Sequence, residues 1–124
     1  MKRAPKRGDI VRMSFDPAMG TEQRGVRPAL VISADAFNKL GMAMVCLVTQ
    51  GGDYARGQQW VVSLANTGMD TQGVVLCNQA RIIDWKVRKA EIVEAAPDYI
   101  AADVIARLAT LLAEWLGAFS GSAL

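Results

Sequence analysis

Within nine residues, Gly20-Thr21-Glu22-Gln23-Arg24-Gly25-Val26-Arg27-Pro28, the chain sets out one carboxylate, one amide and two guanidiniums. A guanidinium presents a rigid fork of N–H donors that meets two phosphate or carboxylate oxygens at once. A carboxylate nearby can take a proton from a nucleophile or hold the guanidinium in place. Gly20 and Gly25 allow backbone angles closed to other residues, while Pro28 fixes φ and withholds an N–H. The loop runs straight into the apolar stretch Ala29-Leu30-Val31-Ile32. A polar loop at the mouth of a strand can hold functional side chains in fixed positions. By composition alone it is equally a solvated turn.

What the chain lacks narrows the chemistry further. There is no histidine, so serine–histidine and cysteine–histidine nucleophile pairs are excluded, as is the commonest metal ligand. The two cysteines, Cys46 and Cys77, lie far apart in apolar runs with no CxxC spacing. That pattern indicates buried thiols rather than a zinc site or a disulfide. Catalysis is left to Glu, Asp, Arg, Lys, Tyr, Thr or backbone groups.

The 124 residues, 52% hydrophobic and 21% charged, suit one globular domain with a single core. The basic start, Met1 to Arg7, has no apolar segment behind it, so no signal peptide is expected. The most apolar region, near the C-terminus, is interrupted by Asp103, Arg107 and Glu114, and no membrane span is expected. A cytoplasmic protein follows. The net charge is +2 but is unevenly spread. Residues 1–27 hold seven basic and three acidic side chains, and residues 81–90 hold four basic and one acidic. Should those two segments meet in space, they would form a face for a polyanion.

The elements that must position these groups are short. Strands are expected at 8–15, 28–33, 42–48, 58–64 and 74–79, with a continuation over 81–85 and an edge at 92–93. A short helix fits 33–40, capped by Ser33 or Asp35 and stopped by Gly41. From Pro97 the period changes, and Ala101, Val104, Ile105, Leu108, Leu111, Leu112 and Trp115 recur on one helical face. The expected fold is therefore mainly β with helices (α+β): a small, strongly bent antiparallel β-barrel with a C-terminal amphipathic helix. It forms a single domain over 1–124, with a core of about 6–116, a basic arm at 1–6 and a flexible tail at 117–124.

Taken in order, Arg7-Gly8-Asp9-Ile10-Val11, Phe15-Asp16-Pro17, Gly20-Thr21-Glu22-Gln23, Arg27-Pro28-Ala29-Leu30-Val31, Phe37-Asn38, Thr49-Gln50-Gly51-Gly52, Gly73-Val74-Val75 and Asn78-Gln79 resemble the MazF/PemK toxins, and most of all the ChpB branch. The resemblance spans roughly residues 6–115. It implies a PemK-like SH3-type barrel, a homodimer, and a metal-independent endoribonuclease that cuts single-stranded mRNA at short sequences. It also implies a cognate antitoxin whose acidic, flexible tail covers the RNA groove, and it implies no cofactor or metal. The family's catalytic arginine falls on Arg27, its threonine on Thr49, and its loop glutamate and glutamine on Glu22 and Gln23. Three positions depart from the PemK branch: Thr21 stands for a histidine, Leu76 for an arginine, and Asn78 for an aspartate proposed as general base.

Such cleavage uses the 2′-hydroxyl as nucleophile and leaves a 2′,3′-cyclic phosphate and a 5′-hydroxyl. Arg27 is the candidate for stabilising the phosphorane, and Thr49 for positioning the phosphate. Glu22 is either the proton acceptor or an orienting partner for Arg24 or Arg27. Thr21, Gln23, Arg24, Gln50, Arg56, Asn78, Gln79 and Arg81 are candidate RNA contacts. Trp60, Trp85 and Trp115 could stack on bases or serve packing. Two other functions fit the same fold: a barrel that binds single-stranded RNA without cutting it, and a gyrase-poisoning toxin of the CcdB type.

Overall fold

A computed structural model describes residues 3–15, 25–50 and 59–123, the side chains of 114–123 excepted. Six antiparallel strands form one sheet: β1 (Asp9–Ser14), β2 (Val26–Val31), β3 (Met42–Thr49), β4 (Val61–Ser63), β5 (Val74–Asp84) and β6 (Glu91–Ala95). Two helices accompany them, α1 (Asp35–Asn38) and α2 (Asp98–Ala123). The sheet order is β4-β5-β3-β2-β1-β6. The α+β class and the helix-backed antiparallel sheet agree with the expectation, but the sheet does not close into a barrel. Instead β4 and β6 stand as its two edges.

Successive residues on a central strand enter different cores. Leu30, Cys46 and Val48 join Ile10, Val62, Leu64, Val75 and Cys77 beneath Ile100 and Val104 of α2. Ala29, Val31 and Val45 join Val11, Met13, Phe15, Ile83 and Trp85 on the opposite face. Both faces are dry, which is why these strands read as continuous apolar runs without alternation. Each fully buried Leu or Val contributes about 1.5–3 kcal/mol.

Several local expectations change. The short helix takes its N-cap at Ala34, with no side-chain cap. The two predicted caps work elsewhere: Ser33 Oγ donates to the Asn38 side chain and accepts from Met44 N–H at 2.9 Å, while Asp35 accepts from Arg7 N–H at 2.9 Å. Residues 74–84 make one strand rather than a strand and a continuation. Helix α2 buries Ile100, Ala101 and Val104 but leaves Leu111 and Leu112 49% and 56% exposed. Its first turns pack on β4 and β5, and the later turns carry the predicted apolar face past the sheet. The helix itself continues to Ala123.

Candidate active site

Arg27 and Thr49 arrive together because of register. Ala29, Leu30 and Val31 pair with Leu47, Cys46 and Val45, and continuing that antiparallel ladder sets Arg27 opposite Thr49 at the open ends of β2 and β3. Gly25 (φ 83°) turns the chain into β2 in a left-handed conformation that suits glycine. Both residues line a groove of about 510 Å3, together with Arg12, Pro28, Val48, Gln50, Asp70, Thr71 and Val93. The Nε of Arg27 is buried and has no hydrogen-bond partner among the described residues. An unmet buried donor costs about 1–3 kcal/mol. Arg12, exposed on β1, makes no hydrogen bond or ion pair among the described residues. The groove thus carries two guanidiniums able to receive an anion.

One wall of the groove is the β4–β5 loop, and it is tied down at several points. Glu94 on β6 accepts hydrogen bonds from Thr71 Oγ1 at 2.5 Å, Thr71 N–H at 2.7 Å and Asp70 N–H at 3.1 Å. Burial opposes ionisation of Glu94, but those Thr71 and Asp70 donors outweigh it and hold the carboxyl below its ordinary value. Within the loop, Gln72 Nε2 donates to Met69 O and Thr67 Oγ1 to Leu64 O. At the loop's end Gly73 lies under Thr49: a Cβ there would sit 2.2 Å from the Thr49 carbonyl oxygen. The requirement at Gly73 is space as much as its φ of 110°.

The other candidates are distributed unevenly. Gln50 reaches the groove and its Nε2 donates to Gln72 O at 3.4 Å. Asn78 and Gln79 are exposed on β5, in a stretch where the register with β3 jumps: Cys46 faces Ala80 whereas Val48 faces Val75. The extra β5 residues bulge, which presents the two amides to solvent. They do not line the Arg27–Thr49 groove. Arg81 does not line it either. It is exposed, with its guanidinium 5.4 Å from the Phe15 ring centroid. Thr21, Glu22, Gln23, Arg24 and Arg56 lie outside the described residues, as does the Trp115 side chain.

Trp85 is 6% exposed and donates from Nε1 to Asn38 O at 2.8 Å, so base stacking is closed to it. Trp60 packs partly buried against the α2-side core. Cys46 and Cys77 are free and buried. Burial, with Cys77 adjacent, pushes the Cys46 thiol up to about 12. Burial, partly offset by Arg107, pushes Cys77 up to about 11. Neither is a nucleophile near neutral pH. No group of three or more Cys, Asp or Glu placed to hold a metal occurs among the described residues.

Sequence reasoning passed over Arg12, Asp70, Thr71 and Glu94. Arg12 sits in a strand that otherwise reads as plain core, and the other three become site residues only through the fold of the β4–β5 loop. An arginine at an outward position of β1 was the single available signal.

The family described as PemK-like, MazF-like toxin of type II toxin-antitoxin system matches residues 6–112. The endoribonuclease toxin ChpB of Escherichia coli (strain K12) is 47% identical over 104 residues, which covers 83% of this chain and 90% of the relative. The endoribonuclease PemK of Escherichia coli is 43% identical over 108 residues, or 86% and 81% of the two chains. Among solved structures, MazF (Form-I) from Deinococcus radiodurans superposes with a TM-score of 0.75 at 38% identity, covering 90% of this chain and 99% of the other. The MazE–MazF complex (Form-II) from the same organism gives 0.75, 38%, 90% and 98%.

Proposed function

The chain belongs to the PemK-like, MazF-like toxins of type II toxin–antitoxin systems, and on that premise we propose that it is an endoribonuclease which cuts single-stranded mRNA and so stops translation in the cytoplasm. The observation that carries this reading is the Arg27 Nε, a buried donor without a partner among the described residues, at the edge of an open groove. A scissile phosphate supplies the missing acceptor. Because the donor is already desolvated and held, it is worth more to an oxyanion there than in water.

The reaction then runs without a cofactor. The 2′-oxygen attacks the adjacent phosphorus, the bond to the 5′-oxygen breaks, and a cyclic phosphate and a 5′-hydroxyl form. Arg27 donates to the non-bridging oxygens as charge builds on the phosphorane. Thr49, which lines the same groove as Arg27, positions the phosphate. The 2′-OH proton passes to a carboxylate, either Glu22 of the 20–28 loop or Asp70 of the groove wall. The departing 5′-oxygen takes its proton from water, aided by an Arg27 N–H. Glu22→Gln and Asp70→Asn separate the two carboxylates: the acidic limb of the pH–rate profile vanishes only in the variant that loses the base. Asn78 cannot accept a proton near neutral pH, so its amide is assigned to holding RNA, with Gln79 and Gln50.

The partners are an antitoxin, whose acidic flexible tail lies along the cationic groove, and a second copy of the chain. The apolar residues left exposed on α2 and β5, Leu111, Leu112 and Ile82, form the self-association surface. A monomer by sedimentation at micromolar concentration, with full activity, would contradict the homodimer. The primary test is cleavage of a long mRNA in EDTA with the ends mapped. Discrete cuts bearing cyclic-phosphate and 5′-hydroxyl termini are expected. Intact RNA of retarded mobility would instead make the protein a binder.

A further inference from the structure

A second cavity, of about 600 Å3, opens beside the groove and is lined by Arg3, Lys39, Trp85, Lys86, Lys89 and Glu91, with Ala4. It adjoins the first across the β1–β6 ladder, where Arg12 of the groove and Glu91 of this cavity are register partners. Here the two basic segments of the sequence meet, Arg3 from the first and Lys86 and Lys89 from the second.

The cations differ in how they are engaged. Arg3 pairs with the buried Asp9 at 3.0 Å, and the Lys86 ammonium lies 5.5 Å from the Trp85 ring centroid. Lys39 and Lys89 are exposed, and their side chains have no hydrogen bond or ion pair among the described residues. Glu91 is the one carboxylate on the lining.

An independent observation concerns the Lys89 backbone. The turn after β5 closes through Lys89 N–H to Lys86 O and Ala90 N–H to Trp85 O, both at 3.0–3.1 Å. It places Lys89 at φ 53°, a left-handed conformation that glycine or asparagine adopts far more readily. A lysine therefore stands where folding favours glycine. Backbone strain of this kind clusters at functional sites.

We propose that this cavity is a second phosphate-binding station, which grips the backbone of the same RNA strand beyond the nucleotides held at Arg27 and Thr49. The inference rests on the endoribonuclease reading for the identity of the strand. Lys39, Lys86 and Lys89 contact phosphates as point charges, so the station reads no sequence and adds affinity only for RNA long enough to reach it. Arg12 bridges the two stations.

The experiment compares two RNAs that share one cut site, of about six and about twenty nucleotides, a range spanning the footprint of small nucleic-acid-binding barrels. Binding is measured in the Arg27→Ala background, which prevents turnover, with and without Lys39→Gln and Lys89→Gly together. The expected result is about tenfold weaker binding of the long RNA and unchanged binding of the short one. The slope of log affinity against log salt should fall by about 1.4, two contacts at about 0.7 each for a single strand. Lys89→Gly alone should leave the melting temperature unchanged or raise it, which separates lost contacts from lost folding. Equal affinities for the long RNA with and without the substitutions would overturn the proposal, as would equal losses on both lengths. Loss of binding to an acidic antitoxin peptide without loss of long-RNA binding would also overturn it, and would assign the cavity to the protein partner. Absence of cleavage by the wild-type chain, with the length-dependent loss intact, would overturn the nuclease reading and leave the station standing.

Discussion

Two polar side chains, the buried Asn38 and the half-buried Arg27, show opposite uses of the same expensive feature, a desolvated polar atom. Asn38 is 0% exposed and fully engaged. Its Nδ2 donates to Pro5 O at 2.8 Å and Ser33 O at 3.2 Å, its Oδ1 accepts from Ser33 Oγ, and its backbone carbonyl accepts the Trp85 indole. It ties the N-terminal arm, α1 and the turn after β5 into one unit. Arg27 is desolvated at Nε and has no partner there among the described residues. A satisfied buried group specifies a fold, whereas an unsatisfied one specifies a ligand. Both positions lie within the motifs that resemble the family, so the resemblance alone does not tell a structural residue from a functional one. Their hydrogen bonds do.

The comparison breaks most visibly at Arg27. Arg27→Ala should lower the single-turnover cleavage rate by about 10²–10³ while the melting temperature holds or rises, because the substitution deletes an unmet donor. A rate within a few-fold of wild type, or a collapse of stability, would reverse the contrast. Asn38→Ala should do the opposite. It strands the partners of three side-chain hydrogen bonds and should lower unfolding free energy by about 2–3 kcal/mol, with the rate per folded molecule unchanged. Denaturant titration alongside kinetics reads both.

Smaller effects sharpen the contrast. Asn78→Ala should weaken RNA binding about fivefold, the value of one net hydrogen bond, and change the saturated single-turnover rate less. A larger effect on the rate than on binding would put Asn78 in the chemistry. Glu94→Gln tests the tie that holds the groove wall. The folded carboxyl sits below its ordinary value of 4.5, so its stabilisation is fully present above that pH and disappears as pH falls through the folded value. Wild type should therefore be the more stable at pH 7, and the two proteins should converge in acid. A constant difference across that range would deny the shift.

What the sequence disclosed and what it withheld divide along physical lines. The strands around Leu30, Cys46 and Val75 were legible because apolar runs of that length have few other places to go. Arg27 stands out through the glycines and proline of its loop and through the family resemblance, and Thr49 through the resemblance alone; the structure brings the two to one groove. The sheet's open edges were not, since closure depends on the accumulated bend of paired strands. The Ser33 and Asp35 caps misread because both side chains had long-range partners, Met44 and Arg7. Glu94 and Thr71, 23 residues apart, belong to opposite sides of the sheet order and meet only because the sheet bends, so no local pattern announces them.

Gly73 carries a consequence for engineering. Beneath the Thr49 carbonyl there is no room for a methyl group, Asp70 and Thr71 are clamped by Glu94, and Met69 is buried. The loop is thus pinned to the site over 69–73, whereas upstream Ala65, Asn66 and Gly68 are exposed and the turn is closed locally through Thr67. A library meant to retarget this protein should place its insertions and diversity at 65–68 and hold the next five positions constant. Reach can then change while the geometry at Thr49 is inherited intact.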